Sequence, residues 1–339
     1  MKKLLIALLL LVVLGIPSRA QDSVQSAGAQ PSDVQPASQV SGTLARPSGA
    51  QAPVPTAGDG SAIKSYKKTL LSLCVRDSLK HKGTMRTWLL YEPEQLSPER
   101  PLLICLHGYG GAAERGKKQL VDLARKMGFV LCFPQGLKDP KDKPSWNVGY
   151  PSQKGWKQDD VAFLERLTKH LQKKYALDPR NAFLAGMSNG GEMCYLMARR
   201  KPDLFAGILS IAGLTLECMK PLRYNHPVPF LELHGTIDTV SRWEGDPENR
   251  HGWGEYLGVP AAVSYVVAAN ECVSYQKTEV ADDVILHRYL GGKKARKGKG
   301  HACEVWFYEV VGGRHSWSDD FLDTYGQMGA FIEHFLYKN

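Results

Sequence analysis

From Leu102 onward, short apolar runs alternate with amphipathic stretches of helical period. No other feature limits the fold as much. The apolar runs are Leu102 to Leu106, Phe129 to Phe133, Ala182 to Gly186, Gly207 to Ala212, Val228 to His234 and Glu304 to Val311. Helical patterns cover Ala113 to Met127, Asp159 to Tyr175, Asn189 to Arg200, Pro260 to Asn270 and Asp319 to Tyr337. Two more strand-like runs, Lys68 to Arg76 and Met85 to Tyr91, come first with no helix between them. Apolar runs this short, separated by helices, read as strands buried on both faces. The pattern predicts an α/β fold with a mostly parallel sheet, an antiparallel start and helices on both faces. Ligands of such sheets gather at the carboxyl ends of the strands.

The N-terminus has a different character. Lys2-Lys3 precede an unbroken apolar stretch, Leu4 to Leu14, followed by Gly15, Pro17 and Ser18-Arg19-Ala20. This order predicts a secretory signal peptide over 1–20, and hence a secreted or periplasmic protein. The apolar stretch is shorter than the roughly 20 residues of a membrane span, so no stable membrane insertion is expected. Residues 21–62 are rich in Gln, Ala, Ser, Pro and Gly and hold one Leu and one Arg. Such a segment cannot offset its ordering entropy by burial and reads as a disordered linker. Residues 63–339 are then one domain. The formal charge is +9, but Lys2, Lys3 and Arg19 precede the expected cleavage site and leave +6. That is mild basicity, so no nucleic-acid partner is expected.

The run Gly186-Met187-Ser188-Asn189-Gly190 stands where a strand gives way to a helix. The pattern G-x-S-x-G is common by itself, but this context is that of a nucleophile elbow, in which a tight turn lifts the serine above the sheet. Small neighbours let the strand and helix backbones approach, and the helix N-terminus directs partial positive charge over Ser188. A serine hydroxyl is a weak nucleophile without a base, an orienting acid and donors for the developing oxyanion. Leu106-His107-Gly108-Tyr109-Gly110-Gly111 ends a strand in a glycine-rich loop. The amides of Tyr109 and Asn189 are the candidate oxyanion donors. Asp238 follows the run Phe230 to Gly235, and His315 follows Val310-Val311-Gly312-Gly313. The order Ser188, Asp238, His315 is that of α/β-hydrolases and differs from the chymotrypsin and subtilisin orders.

At these residues the chain resembles the polyhydroxybutyrate-depolymerase and feruloyl-esterase type of α/β-hydrolase, the first carbohydrate esterase family. The resemblance runs from about Thr84 to His334 through "LHGYGG", "SWNVGY", "DDVAFL", "GMSNGG", "HGTIDTV" and "GGRHSW". It implies ester hydrolysis by a Ser188–His315–Asp238 triad without a metal, and places Trp146 and Trp317 where members line the site. Where members often carry cysteine after "WN", this chain has Tyr150-Pro151, and where "WPG" is usual it has Trp317-Ser318-Asp319. The resemblance also implies a Cys272–Cys303 disulfide, at positions where members often have cysteines.

No HExxH, CxxC or P-loop pattern occurs, so neither metal nor cofactor is expected. The run Gly291 to Gly300 carries five cations and reads as a solvated loop or as a contact for an anionic glycan or membrane surface. Asp159-Asp160 read as a helix start. The expected partner is a small-molecule or oligosaccharide ester, with feruloyl or acetyl esters on plant-type oligosaccharides ahead of polyhydroxybutyrate oligomers. Polyester-degrading enzymes usually append a binding module through a linker, and the one linker here is N-terminal. A serine peptidase of this fold and a non-catalytic glycan-binding relative are the other readings.

Overall fold

The computed structural model describes residues 72–338 except 221, 225 and 296–300. The expected signal peptide, the expected linker and the second half of the basic run lie outside the described residues. Ten strands form one sheet: β1 (Val75–His81), β2 (Thr84–Tyr91), β3 (Leu102–Leu106), β4 (Val130–Pro134), β5 (Ala182–Met187), β6 (Gly207–Ile211), β7 (Phe230–Gly235), β8 (Ser274–Ala281), β9 (Val284–Leu290) and β10 (Val305–Val310). Their order is β1-β2-β4-β3-β5-β6-β7-β10-β9-β8. The six strands from β4 to β10 in that order pair in parallel, and antiparallel pairs extend the sheet at both ends. The helices are α1 (Lys118–Met127), α2 (Asp160–Lys174), α3 (Asn189–Arg200), α4 (Val259–Asn270) and α5 (Thr324–Phe335). This is the expected α/β-hydrolase architecture.

Strand β3, Leu-Leu-Ile-Cys-Leu, is buried throughout because successive side chains point to opposite covered faces. Leu102, Ile104 and Leu106 join one core layer with residues of α2, α3 and α4. Leu103 and Cys105 join the other with residues of α1 and α5. Each such leucine contributes about 1.5–3 kcal/mol of burial. A continuous apolar run is therefore what a central parallel strand requires.

Two expectations about elements need correction, and one hairpin went unexpected. The helix expected over 113–127 begins with a 3-10 turn at Ala113–Arg115, and α1 starts only at Lys118. Between them Gly116 passes the Phe133 ring so closely that a Cβ would sit 2.7 Å from a ring carbon, which leaves no room for a helical side chain there. Of the strand expected at 68–76, residues 68–71 lie outside the described residues; the described strand starts at Val75 and runs to His81, pairing from Val75↔Leu90 to His81↔Thr84. Its turn, Lys82-Gly83, has φ of 46° and 86°, both positive as a tight two-residue hairpin demands. The hairpin of β8 and β9 was not expected at all. Strand β8 is exposed along nearly its whole length, so it carries no apolar periodicity to reveal it.

Cys272 and Cys303 are free thiols, which corrects the expected disulfide. Cys272 Sγ faces the main-chain carbonyl of Cys303 at 3.6 Å rather than the other sulfur. Asp159 and Asp160 do start a helix. Asp159 accepts the Ala162 amide at 3.0 Å and caps α2. Asp160 is buried and bonds the Arg86 guanidinium at 2.8 Å and the Asn147 amide at 2.8 Å. No helix among the described residues is long and apolar enough to cross a membrane.

Candidate active site

Strand β5 hands over to α3 at Ser188, whose φ and ψ are 57° and −122°. A non-glycine residue with positive φ is strained and persists only where its surroundings fix it. Here the Ser188 amide donates to Ile211 O at 2.8 Å, tying the turn to β6. The flanking glycines are sterically required. A Cβ on Gly186 would sit 2.4 Å from the Gly190 carbonyl carbon, and one on Gly190 would sit 2.7 Å from Leu106 O. The spacing G-x-S-x-G thus lets strand, turn and helix cross in contact.

Asp238 and His315 come from the loops after β7 and β10, which are parallel neighbours. Gly235 lies against Gly313, so the two loops leave the sheet side by side. His315 Nδ1 is 2.7 Å from Asp238 Oδ2. The other carboxylate oxygen of Asp238 accepts the amides of Val240 at 2.7 Å and Ser241 at 2.8 Å. Behind it sits a fully buried pair. His234 Nδ1 is 2.9 Å from Glu232 Oε1, and His234 Nε2 is 2.7 Å from Ser241 O and 3.5 Å from Asp238 Oδ2. Burial opposes a charge on His234, but Glu232, the Ser241 carbonyl and Asp238 outweigh it and raise its pKa. Burial raises that of Glu232. The pair holds a proton between them and braces the Asp238 loop.

The loop after β3 is held by a network around Trp146. The Trp146 amide donates to Asn189 Oδ1 at 2.7 Å, and its indole N–H donates to His107 O at 2.9 Å. Asn189 Nδ2 returns a bond to Trp146 O at 3.2 Å. His107 Nε2 accepts the Gly136 amide at 2.9 Å, while Nδ1 faces Gly108 O at 2.8 Å. Burial is the main cause that brings the His107 pKa down to about 4, so the ring is neutral and serves as a strut. Gly110 N–H is bonded to Pro144 O and Ser188 N–H to Ile211 O. By contrast, the amides of Tyr109 and Asn189 have no acceptor among the described residues. Two free donors flanking a strained serine can receive an anionic oxygen.

A cavity of about 240 Å³ opens at Ser188 and is lined by His315, Glu192, Tyr109, Tyr150 and Trp253, among others. Ser188 and His315 face it without a hydrogen bond between them, a common looseness where such groups tighten only on reaction. The rings of Tyr109 and Trp253 are 5.3 Å apart, those of Tyr150 and Trp253 5.2 Å, in edge-on or tilted contact. Trp146 is not in this wall. It is completely buried, so its expected contact with substrate is corrected to a supporting one beneath the loop. Trp317 lines a neighbouring cavity with Phe133, Met187 and Lys117, stacked on Tyr325 at 5.8 Å, and does not reach the Ser188 cavity either. Although Trp317 is only two residues beyond His315, its ring is held against Tyr325 of α5.

Residues 81–263 match the family described as "Putative esterase". The chain belongs to this esterase family. Feruloyl esterase B of Piromyces equi is 31% identical to it over 218 residues, 58% of this chain and 39% of the relative. The bifunctional acetylxylan esterase/xylanase XynS20E of Neocallimastix patriciarum is 25% identical over 172 residues, 50% of this chain and 24% of the relative. These matches take in well under two thirds of either relative's own length. Among solved structures, the acetyl xylan esterase from Aspergillus awamori superposes with a TM-score of 0.51 at 15% identity, covering 77% of this chain and 99% of that one. That likeness shows the α/β-hydrolase fold.

Sequence reading of this esterase missed Trp253, Glu192 and the Glu232–His234 pair. Glu232 and His234 are two residues apart on a strand and so share a face, a signal that was available in Phe230 to His234. Trp253 sits in an irregular stretch between β7 and α4, where nothing periodic marks it.

Proposed function

We propose that this chain is an exported serine esterase that uses Ser188, His315 and Asp238 on feruloyl or acetyl esters of plant-type oligosaccharides. The observation that carries the reading is the 2.7 Å contact of His315 with Asp238 at the rim of the cavity that holds Ser188. In the proposed reaction Ser188 Oγ attacks the ester carbonyl and its proton passes to His315 Nε2. Asp238 accepts a hydrogen bond from Nδ1–H, which fixes the tautomer and stabilises the imidazolium. The amides of Tyr109 and Asn189 receive the oxyanion. His315 then protonates the leaving alcohol as the acyl-enzyme forms. Water, deprotonated by His315, adds to the acyl carbonyl, and collapse of the adduct releases the acid and restores Ser188.

The relatives' names support the substrate class, and the aromatic wall of Tyr109, Tyr150 and Trp253 supports a flat acyl group or sugar. The test is kcat/KM on a feruloylated arabinoxylan oligosaccharide, an acetylated xylo-oligosaccharide and a hydroxybutyrate trimer, with Ser188→Ala as control. Preference for the trimer would reassign the substrate. Undiminished turnover by the control would reassign the nucleophile. Export is tested separately, by sequencing the N-terminus of the protein recovered outside the cytoplasm, where cleavage after Ala20 is expected.

A further inference from the structure

Glu192 occupies the first turn of α3, one helical turn beyond Ser188, and its amide donates to Ser188 O at 2.9 Å. Its side chain faces the same cavity as Ser188 and is 2% exposed. A carboxyl group is rarely placed so deep without partners for both oxygens. Here Oε2 takes both protein contacts, from the Tyr150 hydroxyl and from Asn189 Nδ2 at 3.5 Å. Oε1 makes no hydrogen bond with the described residues, and it is open to the cavity. Burial pushes the carboxyl up to about 7, against smaller downward pulls from Tyr150 and Asn189.

We propose that Glu192 is a specificity-determining residue of this site, its free Oε1 binding the phenolic hydroxyl of a planar acyl group seated among Tyr109, Tyr150 and Trp253. The inference rests on the serine-esterase reading above and names the part of the substrate that the cavity recognises. Three observations carry it. The unpaired acceptor points into the space that a bound ester must share with Ser188. The contacting rings of Tyr109, Tyr150 and Trp253 form an aromatic wall of the same cavity, against which a flat group can pack. The Tyr150 hydroxyl and Asn189 fix the carboxyl from behind, so it is already oriented before a ligand arrives. A phenol gives up one donor to that oxygen and buries its ring, whereas an ammonium group would lose its hydration in a mostly apolar pocket. A site built to bond a substrate hydroxyl discriminates strongly against the analogue without one, because its own polar group is then left unpaired.

The test compares kcat/KM for methyl 4-hydroxycinnamate, methyl cinnamate and methyl 4-methoxycinnamate in wild type, Glu192→Gln and Glu192→Ala. Wild type should prefer the hydroxylated ester over both others by about tenfold or more, the worth of one hydrogen bond to a carboxyl group. In Glu192→Gln the amide oxygen can keep Tyr150, which turns the amide N–H₂ toward the cavity. The hydroxy-to-methoxy ratio should then fall at least tenfold. In Glu192→Ala the three esters should converge. A ratio unchanged within threefold in both variants, with all three rates lowered together, would overturn the proposal and leave Glu192 as a brace for Tyr150 and Asn189. A wild type indifferent to the hydroxyl would overturn it as well. Hydrolysis of 4-nitrophenyl acetate that is lost in Ser188→Ala keeps the serine-esterase reading standing in either event, and its persistence in Ser188→Ala would bring down that reading instead.

Discussion

His315 Nδ1 lies 2.7 Å from Asp238 Oδ2, although 77 positions separate the two residues in the chain. Parallel pairing of β7 with β10 delivers both loops to the same sheet edge, and the contact between Gly235 and Gly313 lets them leave it together. If this pair serves Ser188, Asp238→Asn should lower kcat by about four orders of magnitude with little change in KM, since orienting the imidazole matters mainly in the transition state. His315→Ala should be as inactive as Ser188→Ala. Steady-state kinetics on a chromogenic ester check this, and an Asp238→Asn enzyme within tenfold of wild type would point to a different acid.

Trp146 and Trp253 should separate into two kinds of mutant. Trp146→Phe removes the indole N–H bond to His107 O and should lower stability by about 1–3 kcal/mol, with no change in the ranking of ester substrates. Trp253→Ala opens the cavity wall and should raise KM for aromatic acyl esters about tenfold relative to KM for acetyl esters, by loss of ring contact. Urea unfolding and a two-substrate kinetic comparison read the two effects independently. A Trp146→Phe enzyme with altered ester ranking would put that ring back into the substrate site.

The Arg86–Asp160 bridge is buried on both sides, at 1% and 0% side-chain exposure, and Arg86 also stacks 3.7 Å over Phe163. Removing only the acid strands a guanidinium in the core. Asp160→Ala should therefore cost about 3–5 kcal/mol, whereas the double change Arg86→Met with Asp160→Leu should recover most of it. Equilibrium denaturation of the three variants checks the prediction. A single mutant within about 1 kcal/mol of wild type would show that the arginine finds another partner.

Glu192 should leave a signature in the pH dependence of stability. Burial raises its folded pKa from 4.5 to about 7, with Tyr150, Asn189 and Cys218 as the groups facing it. Between those two values the folded state binds more protons than the unfolded state, so stability must fall as pH rises. The penalty is absent below about 4.5, grows up to about 7 and is complete above, reaching on the order of 3 kcal/mol. Glu192→Gln removes it. The stability gap between Glu192→Gln and wild type should widen in favour of the mutant by that order from pH 4.5 to pH 8. Parallel stability curves for the two proteins would show that the carboxyl does not titrate in this range.

All seven cysteines are thiols in this arrangement. Thiol titration of the denatured, unreduced protein should return seven groups, and in the folded protein Cys218, the exposed one, should react first. Recovery of five, with Cys272 and Cys303 joined in one peptide, would restore the bridge that the sequence resemblance implied.

The sequence by itself determined the parts whose cause is local. Continuous apolar runs announced the parallel strands, because a strand covered on both faces has no polar side to show. The glycines around Ser188 announced the elbow, because no other residue fits where a Cβ would meet backbone at 2.4 Å. The chain order of Ser188, Asp238 and His315, just past the ends of β5, β7 and β10, was legible because apolar runs mark where those strands stop. Tertiary structure alone decided what depends on contacts between distant segments. It sealed Trp146 beneath the loop and set Trp317 in a neighbouring cavity, although both are tryptophans in plausible loops. It built the β8–β9 hairpin from an exposed stretch with no apolar period to declare it. It also turned Glu192, which in sequence is an ordinary first-turn acid on a helix, into a buried carboxyl with one oxygen left for the cavity. Periodicity reports which face of an element is covered, but not what covers it, and the lining of this site is set by the second of these.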